Sequence, residues 1–181
     1  MKGCFLVATP ALSDPNFARA VILICDYGKE GCMGLIVNRP LSLELSEILP
    51  EGFESPHGKP GIHQGGPVQP DHLLFLHGIP QSGLDDHPVC EGVYLGGDPE
   101  ILKRVLAGTK APGFLRCYLG YAGWAAGQLE AEMKQGAWLL RPARAQDVFG
   151  ADTETLWARM IGSQAGGRLD SSGSPKGPEL N

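Results

Sequence analysis

The chain has no long apolar segment: its longest wholly apolar run, Ala20 to Cys25, has six residues. A membrane-spanning helix needs about 20 such residues, so no membrane segment is expected. The apolar run before Thr9 has five residues, which is too short for the core of a signal peptide. The sequence therefore predicts a cytoplasmic protein.

Positive charge is also scarce: the chain has 15 Lys and Arg residues against 20 Asp and Glu residues, and its net charge is −5. Nucleic-acid-binding domains carry basic residues clustered on one face. Here the densest cluster is the pair Arg141 and Arg144, which we interpret as a solvated face. Direct nucleic-acid binding is not expected, and the partner is predicted to be a small molecule or another protein.

The five cysteines show neither a CxxC pair nor an even count, so a disulfide framework is not indicated. Cys4, Cys25 and Cys117 lie in apolar runs, where free cysteine behaves as a small buried hydrophobe. No HExxH motif and no Cys/His spacing typical of zinc occurs. The sequence thus predicts no metal and no other cofactor.

Catalytic signatures are missing as well. The chain has no GxGxxG loop, no phosphate-binding GxxxxGK[ST] motif and no GxSxG nucleophile turn. Residues suited to acid–base or nucleophilic chemistry are present, chiefly His77 and Cys32, but the sequence does not place them together. A hydrolase or transferase that uses His77 or Cys32 therefore remains the alternative to a non-enzymatic protein.

What the chain has in plenty is glycine and proline, 26 and 15 residues, which predict many turns and short elements. Apolar runs predict strands, with helical patterns between them at irregular intervals. Strands are predicted at 4–8, 20–27, 32–38, 72–79, 90–97, 114–120 and 137–142. Helices are predicted at 42–49 with Ser42 as cap, from Pro99 with Asp98 as cap, after Trp124, and as two short pieces within 146–161. This irregular order favours an α+β fold with a mixed sheet over a doubly wound one.

Two further stretches have a composition typical of loops. Residues 51–71 are rich in Gly, Pro and His and are predicted to form a long loop with at most one short strand, and residues 81–88 a polar turn. Residues 163–181 are rich in Gly, Ser and Pro and have little to bury. We therefore expect a single domain over residues 1–162 followed by a disordered tail.

The least ordinary segment is YLGYAGWAAGQLEAEM, residues 118–133, in which three glycines, three aromatics and a glutamine stand where a strand meets a helix. The glycines permit a sharp strand-to-helix bend and Trp124 can anchor the core. Alternatively this corner and GGP at 65–67 form a ligand site. The candidate ligand-binding residues are Gly65, Gly66, Pro67, Gly120, Tyr121, Gly123, Trp124 and Gln128.

Three ordered blocks resemble the YqgE/AlgH family of bacterial proteins over about residues 5–162. They are FLVATPALSDPNFARAVILICDYGKEGCMGLIVNRP at 5–40, GGPV at 65–68 with FLH at 75–77, and LGYAGWAAGQLEAEM at 119–133. The resemblance implies a mixed, bifurcated β-sheet curled into a pseudo-barrel with flanking helices. It also implies a cytoplasmic protein without an established enzymatic activity and a link to transcriptional regulation. We therefore expect a non-enzymatic regulatory or small-ligand-binding protein.

The chain departs from the family pattern at three positions in the first block. Asp26–Tyr27 stands where many members carry Glu-His, so a function that needs that histidine is not expected here. Cys32 stands where alanine is usual. The resemblance therefore gives the thiol no family role.

Overall fold

The computed structural model describes residues 1–49, 51, 53, 58–79, 87–108 and 114–162. The strands are β1 (Cys4–Ala8), β2 (Val21–Gly28), β3 (Gly31–Ile36), β4 (Pro40–Leu41), β5 (Gly61–Gln64), β6 (Val68–His77), β7 (His87–Cys90), β8 (Val93–Gly96), β9 (Leu115–Ala125) and β10 (Trp138–Pro142). The helices are α1 (Leu45–Ile48), α2 (Pro99–Ala107), α3 (Gln128–Lys134), α4 (Ala145–Val148) and α5 (Leu156–Gly162). No helix in these ranges is long and apolar enough to span a membrane.

The strands form one curled sheet in the order β10-β1-β2-β3-β9-β6-β8-β7, with β4 and β5 attached beside it. The sheet is mixed because β5 runs parallel to β9, whereas the other neighbours are antiparallel. The predicted α+β class with a curled mixed sheet is therefore confirmed.

The sheet branches at β9. One edge of this strand pairs with β6, from Leu115 to Tyr121. The other edge pairs first with β5, through residues 116–119, and then with β3, through residues 122–125. This exchange of neighbours along a single strand is the bifurcation that the family resemblance implies.

Glycine backbones make the branch point close-packed. A Cβ atom on Gly65 would lie 2.2 Å from the Gly120 carbonyl oxygen, and one on Gly120 would lie 2.4 Å from the Gly66 oxygen. Gly120 also has φ 71°, a left-handed conformation that disfavours any side chain. The crossing therefore requires glycine on both segments.

Apolar side chains cover both faces of the central strands. In β2, Val21, Leu23 and Cys25 belong to one buried cluster, while Ile22 and Ile24 belong to another on the opposite face. All five are 0–2% exposed. The continuous apolar run of this strand thus follows from burial on both sides, as its sequence predicts. A third cluster packs α2 against β6 and β9, through residues such as Leu102 and Phe75.

Several predicted elements differ from the structure near helix α1 and the preceding hairpin. The strands predicted at 20–27 and 32–38 leave four residues between them, whereas the β2–β3 connection is two residues, Lys29 and Glu30. Helix α1 is capped by Glu44 and not by Ser42, because Glu44 and Glu47 form a reciprocal capping box. This pair satisfies donors of the first turn that the serine was expected to satisfy.

Two larger differences arise from pairing between distant segments. The predicted loop 51–71 contains all of β5 and the start of β6, because β5 pairs with β9 more than fifty residues later. The single strand predicted at 90–97 is a hairpin, since Gly92 with φ 71° allows the chain to reverse between β7 and β8. Residues 80–86, which include most of the predicted polar turn, and the predicted tail at 163–181 lie outside the described residues.

The branch point generates a stability prediction. We expect Gly120→Ala to lower the free energy of unfolding by about 2–4 kcal/mol, because a left-handed conformation and a backbone clash are both forced on the new side chain. Gly136→Ala, at φ 76° with no atom within 4 Å of the new Cβ, should lose only about 1–2 kcal/mol. Gly123→Ala, whose nearest contact is 3.5 Å, should be close to neutral. Urea unfolding followed by far-UV circular dichroism would measure this order, and equal losses at positions 120 and 123 would contradict it.

Candidate functional site

An open groove of about 530 Å³ lies between the β2–β3 hairpin and the end of β9. Its wall combines apolar side chains with a charged rim. The lining residues are Asp26, Gly28, Lys29, Glu30, Gly31, Cys32, Met33, Val68, Tyr121, Gly123 and Trp124. A volume of this size is within the range of about 300–1,000 Å³ that is typical of small-molecule sites.

Strand register explains why the groove exists. Met33 of β3 stands opposite Gly123 of β9, and Cys32 stands opposite Trp124. Since Gly123 carries no side chain and is exposed, space remains next to the Tyr121 ring, which would lie 3.5 Å from a Cβ at that position. At the hairpin turn, a Cβ on Gly31 would lie 2.3 Å from the Trp124 carbonyl oxygen, so glycine lets the hairpin pack directly on β9.

Beneath the groove, Trp124 belongs to a cluster of three aromatic rings. Phe17 stacks on Trp124 at 6.1 Å between ring centroids, and Trp138 meets Trp124 edge-on at 6.0 Å. Both indole N–H groups donate to the same carboxylate oxygen of Glu132, at 3.0 Å from Trp124 and 2.8 Å from Trp138. The two tryptophans are 6% and 3% exposed. Trp124 is therefore a core anchor that is also among the residues lining the groove.

Gln128 has a structural role at the start of α3. Its side-chain oxygen accepts a hydrogen bond from the Ala125 N–H at 3.0 Å, and its amide nitrogen donates to Glu132 at 3.0 Å. The turn between β9 and α3 occurs at Gly127, with φ 77°. The strand thus continues past Gly120 and Gly123 to Ala125, paired with β3 from Ala122 onward. Of the three glycines expected to permit the strand-to-helix bend, Gly127 is the one at the turn.

The eight candidate residues separate into three groups. Tyr121, Gly123 and Trp124 line the groove. Gly65, Gly66 and Gly120 meet one another at the branch point, where their backbones leave no room for a side chain. Pro67 is exposed, and neither it nor Gln128 is among the lining residues.

Sequence reasoning missed the hairpin half of the groove, notably Met33, Asp26 and Glu30, together with Val68 of β6. The hairpin itself was predictable from its two apolar runs. Its position over Tyr121 depends on the β3–β9 register, which no local pattern reveals.

A second contact fixes the hairpin from outside the groove. The Tyr27 hydroxyl donates to Glu130 of α3 at 2.6 Å. This hydrogen bond raises the pKa of Tyr27 above its ordinary value and lowers that of Glu130. The bond thus links the hairpin to α3 across the sheet.

The catalytic alternative named His77 or Cys32, and the structure does not bring these two residues together. Cys32 is paired across from Trp124, and His77 is paired across from Leu115, nine residues earlier in β9. Nine strand residues span roughly 30 Å, far beyond hydrogen-bond reach. His77 is fully buried and packs between the rings of Phe75 and Tyr94.

Comparison with known proteins agrees with this architecture. Residues 5–169 match a family model described as AlgH-like. The chain belongs to the AlgH-like family. The family resemblance seen in the sequence is therefore confirmed.

Relatives cover nearly the whole chain. A UPF0301 protein of Streptomyces avermitilis is 39% identical over 100% of this chain and 95% of its own length, and one of Chlorobaculum tepidum is 38% identical over 99% and 95%. The solution structure of the AlgH protein from Pseudomonas aeruginosa is 34% identical, with a TM-score of 0.73 over 96% of this chain and 95% of that one. A crystal structure of a Corynebacterium diphtheriae protein, 25% identical, gives a TM-score of 0.70 over 90% and 86%.

The shared acceptor Glu132 yields a second prediction. Glu132→Ala should lower the free energy of unfolding by about 1–3 kcal/mol, because two buried indole donors lose their acceptor. Glu132→Gln, which keeps one carbonyl oxygen, should lose less. Glu130→Ala is the control, since water can satisfy the exposed Tyr27 hydroxyl, and its loss should be smaller still. Urea unfolding monitored by tryptophan fluorescence would measure all three, and a larger loss for the glutamine variant than for the alanine variant would refute the assignment.

The Cys32 thiol yields a third prediction. Burial, followed by the carboxylates of Glu130 and Asp26, raises its pKa from 9.0 to about 11. At pH 8 such a thiol is ~100-fold less ionised than an ordinary one, so iodoacetamide should alkylate it at least that much more slowly in the folded protein than in urea. Because the Cys32 thiol binds its proton more tightly in the folded protein than in the unfolded chain, the free energy of unfolding falls as the pH rises from 9 to 11. Mass spectrometry of the labelled peptide gives the rates, and faster labelling in the folded state would show an activated thiol instead.

Proposed function

We propose that this protein is a non-enzymatic binding protein whose groove between the β2–β3 hairpin and β9 holds a small ligand with an apolar body. The observation that carries the proposal is the exposed backbone of Gly123 beside partly exposed Met33, Val68 and Tyr121. These groups form a concave apolar surface on paired strands. Ligand sites of this kind combine an apolar wall with a few polar groups that orient the ligand.

The charges at the rim narrow the ligand class. Asp26 and Glu30 are exposed at the groove together with Lys29, which leaves one excess negative charge. An anionic ligand would meet net repulsion there, whereas a neutral or cationic polar end would not. We therefore favour a ligand that pairs an aliphatic or aromatic body with a neutral or positively charged group.

The geometry of the thiol and the histidine supports binding over catalysis. A side-chain nucleophile is activated by a general base within hydrogen-bond reach or by a lowered pKa. Cys32 has a raised pKa and is separated from His77 by most of strand β9. These features weigh against a hydrolase or transferase that uses both residues.

The proposal extends to a regulatory role in the cytoplasm. All five cysteines are free thiols, which suits a reducing compartment. The link to transcription that the family resemblance implies would then act through a ligand-dependent protein partner, since the net charge of −5 disfavours direct contact with DNA.

Filling the groove tests the proposal. Gly123→Val places a side chain between Tyr121 and Val68. A Cβ at this position lies 3.5 Å from its nearest atom, an ordinary van der Waals contact, and the backbone there is unstrained. We expect the variant to fold normally and to lose binding of uncharged and cationic aromatic fragments, with indole and tryptamine as first probes. Amide chemical shifts in the wild-type protein should change at Gly31, Met33 and Gly123 when a fragment binds.

Ala131→Val, an exposed substitution on α3, is the matched control and should bind as the wild type does. The proposal fails if fragments from a broad library leave the groove amides unchanged. It also fails if fragments that shift those amides bind the Gly123→Val variant as tightly as the wild type.

A further inference from the structure

A second cavity, of about 300 Å³, lies where the end of β10 meets helices α4 and α5. It is formed by side chains from all three elements. They are Arg141, Pro142, Arg144, Gln146, Asp147, Arg159 and Met160. Three of these residues are arginines, an unusual concentration in a chain whose net charge is −5.

The arginines converge from separate positions in the sequence. Arg141 lies on β10, Arg144 precedes the first residue of α4, and Arg159 belongs to α5. Asp147 is the one acid among the lining residues and lies 3.4 Å from Arg159. The lining therefore keeps two excess positive charges after this ion pair is counted.

Arg141 is held in place by the protein itself. Its Nε donates to the Met160 carbonyl oxygen at 3.3 Å, and its Nη1 donates to the Leu140 carbonyl oxygen at 3.1 Å. Its Nη2 is buried and has no hydrogen-bond acceptor among the described residues. A buried donor without an acceptor is destabilising, so one N–H group of Arg141 is still available for a hydrogen bond.

We propose that this cavity is a binding site for a phosphate monoester. Guanidinium groups are planar forks that match phosphate oxygens, and a phosphate monoester carries a charge of about −1.5 to −2 at neutral pH. That charge complements the two positive charges that remain when Asp147 is counted against Arg141, Arg144 and Arg159. The volume leaves room for a phosphate and a small organic group, at the lower end of ligand-site sizes.

The site is unlike a nucleic-acid interface. Nucleic-acid binders use a basic stripe that follows the phosphate backbone over many contacts. Here the basic groups line one compact pocket, and the chain is acidic as a whole. A single compact phosphate group therefore fits the arrangement better than a polymer.

Titration of the full-length, ¹⁵N-labelled protein with inorganic phosphate and with glycerol 3-phosphate tests the site. Sodium chloride at equal ionic strength is the reference. Both phosphates should cause saturable amide shifts confined to residues 141–147 and 159–160. Arg144→Gln removes an exposed side chain that makes no helix-capping hydrogen bond, so the variant should fold. It should weaken binding about tenfold or more, as expected for loss of a charged hydrogen bond.

Arg159→Gln should weaken binding similarly, and Arg104→Gln, an exposed arginine on α2, should leave it unchanged. The proposal is overturned if phosphate shifts these amides no more than chloride does, or if Arg104→Gln weakens binding as much as Arg144→Gln. It is also overturned if malonate or a short single-stranded DNA binds the cavity more tightly than glycerol 3-phosphate, since the site would then select another class of anion.

Discussion

The rest of this structure depends on the close approach of two glycine backbones, Gly65–Gly66 against Gly120. At this point β9 exchanges β5 for β3 as its neighbour. Gly65 joins all three strands, because its N–H donates to the Leu119 carbonyl and its carbonyl accepts from the Ile36 N–H, both at 2.8 Å. A side chain at either crossing would push the backbones apart. The branch would then be destabilised, and with it the pairing of β3 to the end of β9.

The groove follows from that branch. Once β3 pairs with residues 122–125, its hairpin extends over the end of β9, and Gly123 leaves an opening beside Tyr121. The neighbouring residue, Trp124, is anchored by Phe17 and by the carboxylate of Glu132. Paired strands and an aromatic cluster with satisfied hydrogen bonds hold the wall of the groove in one geometry. This preorganisation would reduce the conformational entropy that the protein loses when a ligand binds there.

Sequence reasoning succeeded where structure is decided locally. The double-sided burial of β2 and the cap of Asp98 before Pro99 could both be inferred from neighbouring residues. It failed where distant strands decide the structure. Ile62 and His63 have the composition of a loop around them, yet they pair with β9 and become buried. Gln128 was predicted as a ligand contact, but its side-chain amide is hydrogen-bonded to the Ala125 N–H and to Glu132. In the same way, Arg159 could not be added to the Arg141–Arg144 pair without the packing of α5.

The two cavities differ in charge, and this difference has a physical consequence for ligand choice. The groove rim has one excess negative charge, whereas the cavity at β10 has two excess positive charges. Screening limits electrostatic interactions in physiological salt to about 8 Å. The net charge of −5 therefore slows the approach of an anion only weakly, while the arginines dominate once it is inside the cavity. Because the same screening confines the effect of Asp26 and Glu30 to the groove, a ligand of either cavity, as proposed, would be selected by the lining of that cavity and not by the charge of the whole protein.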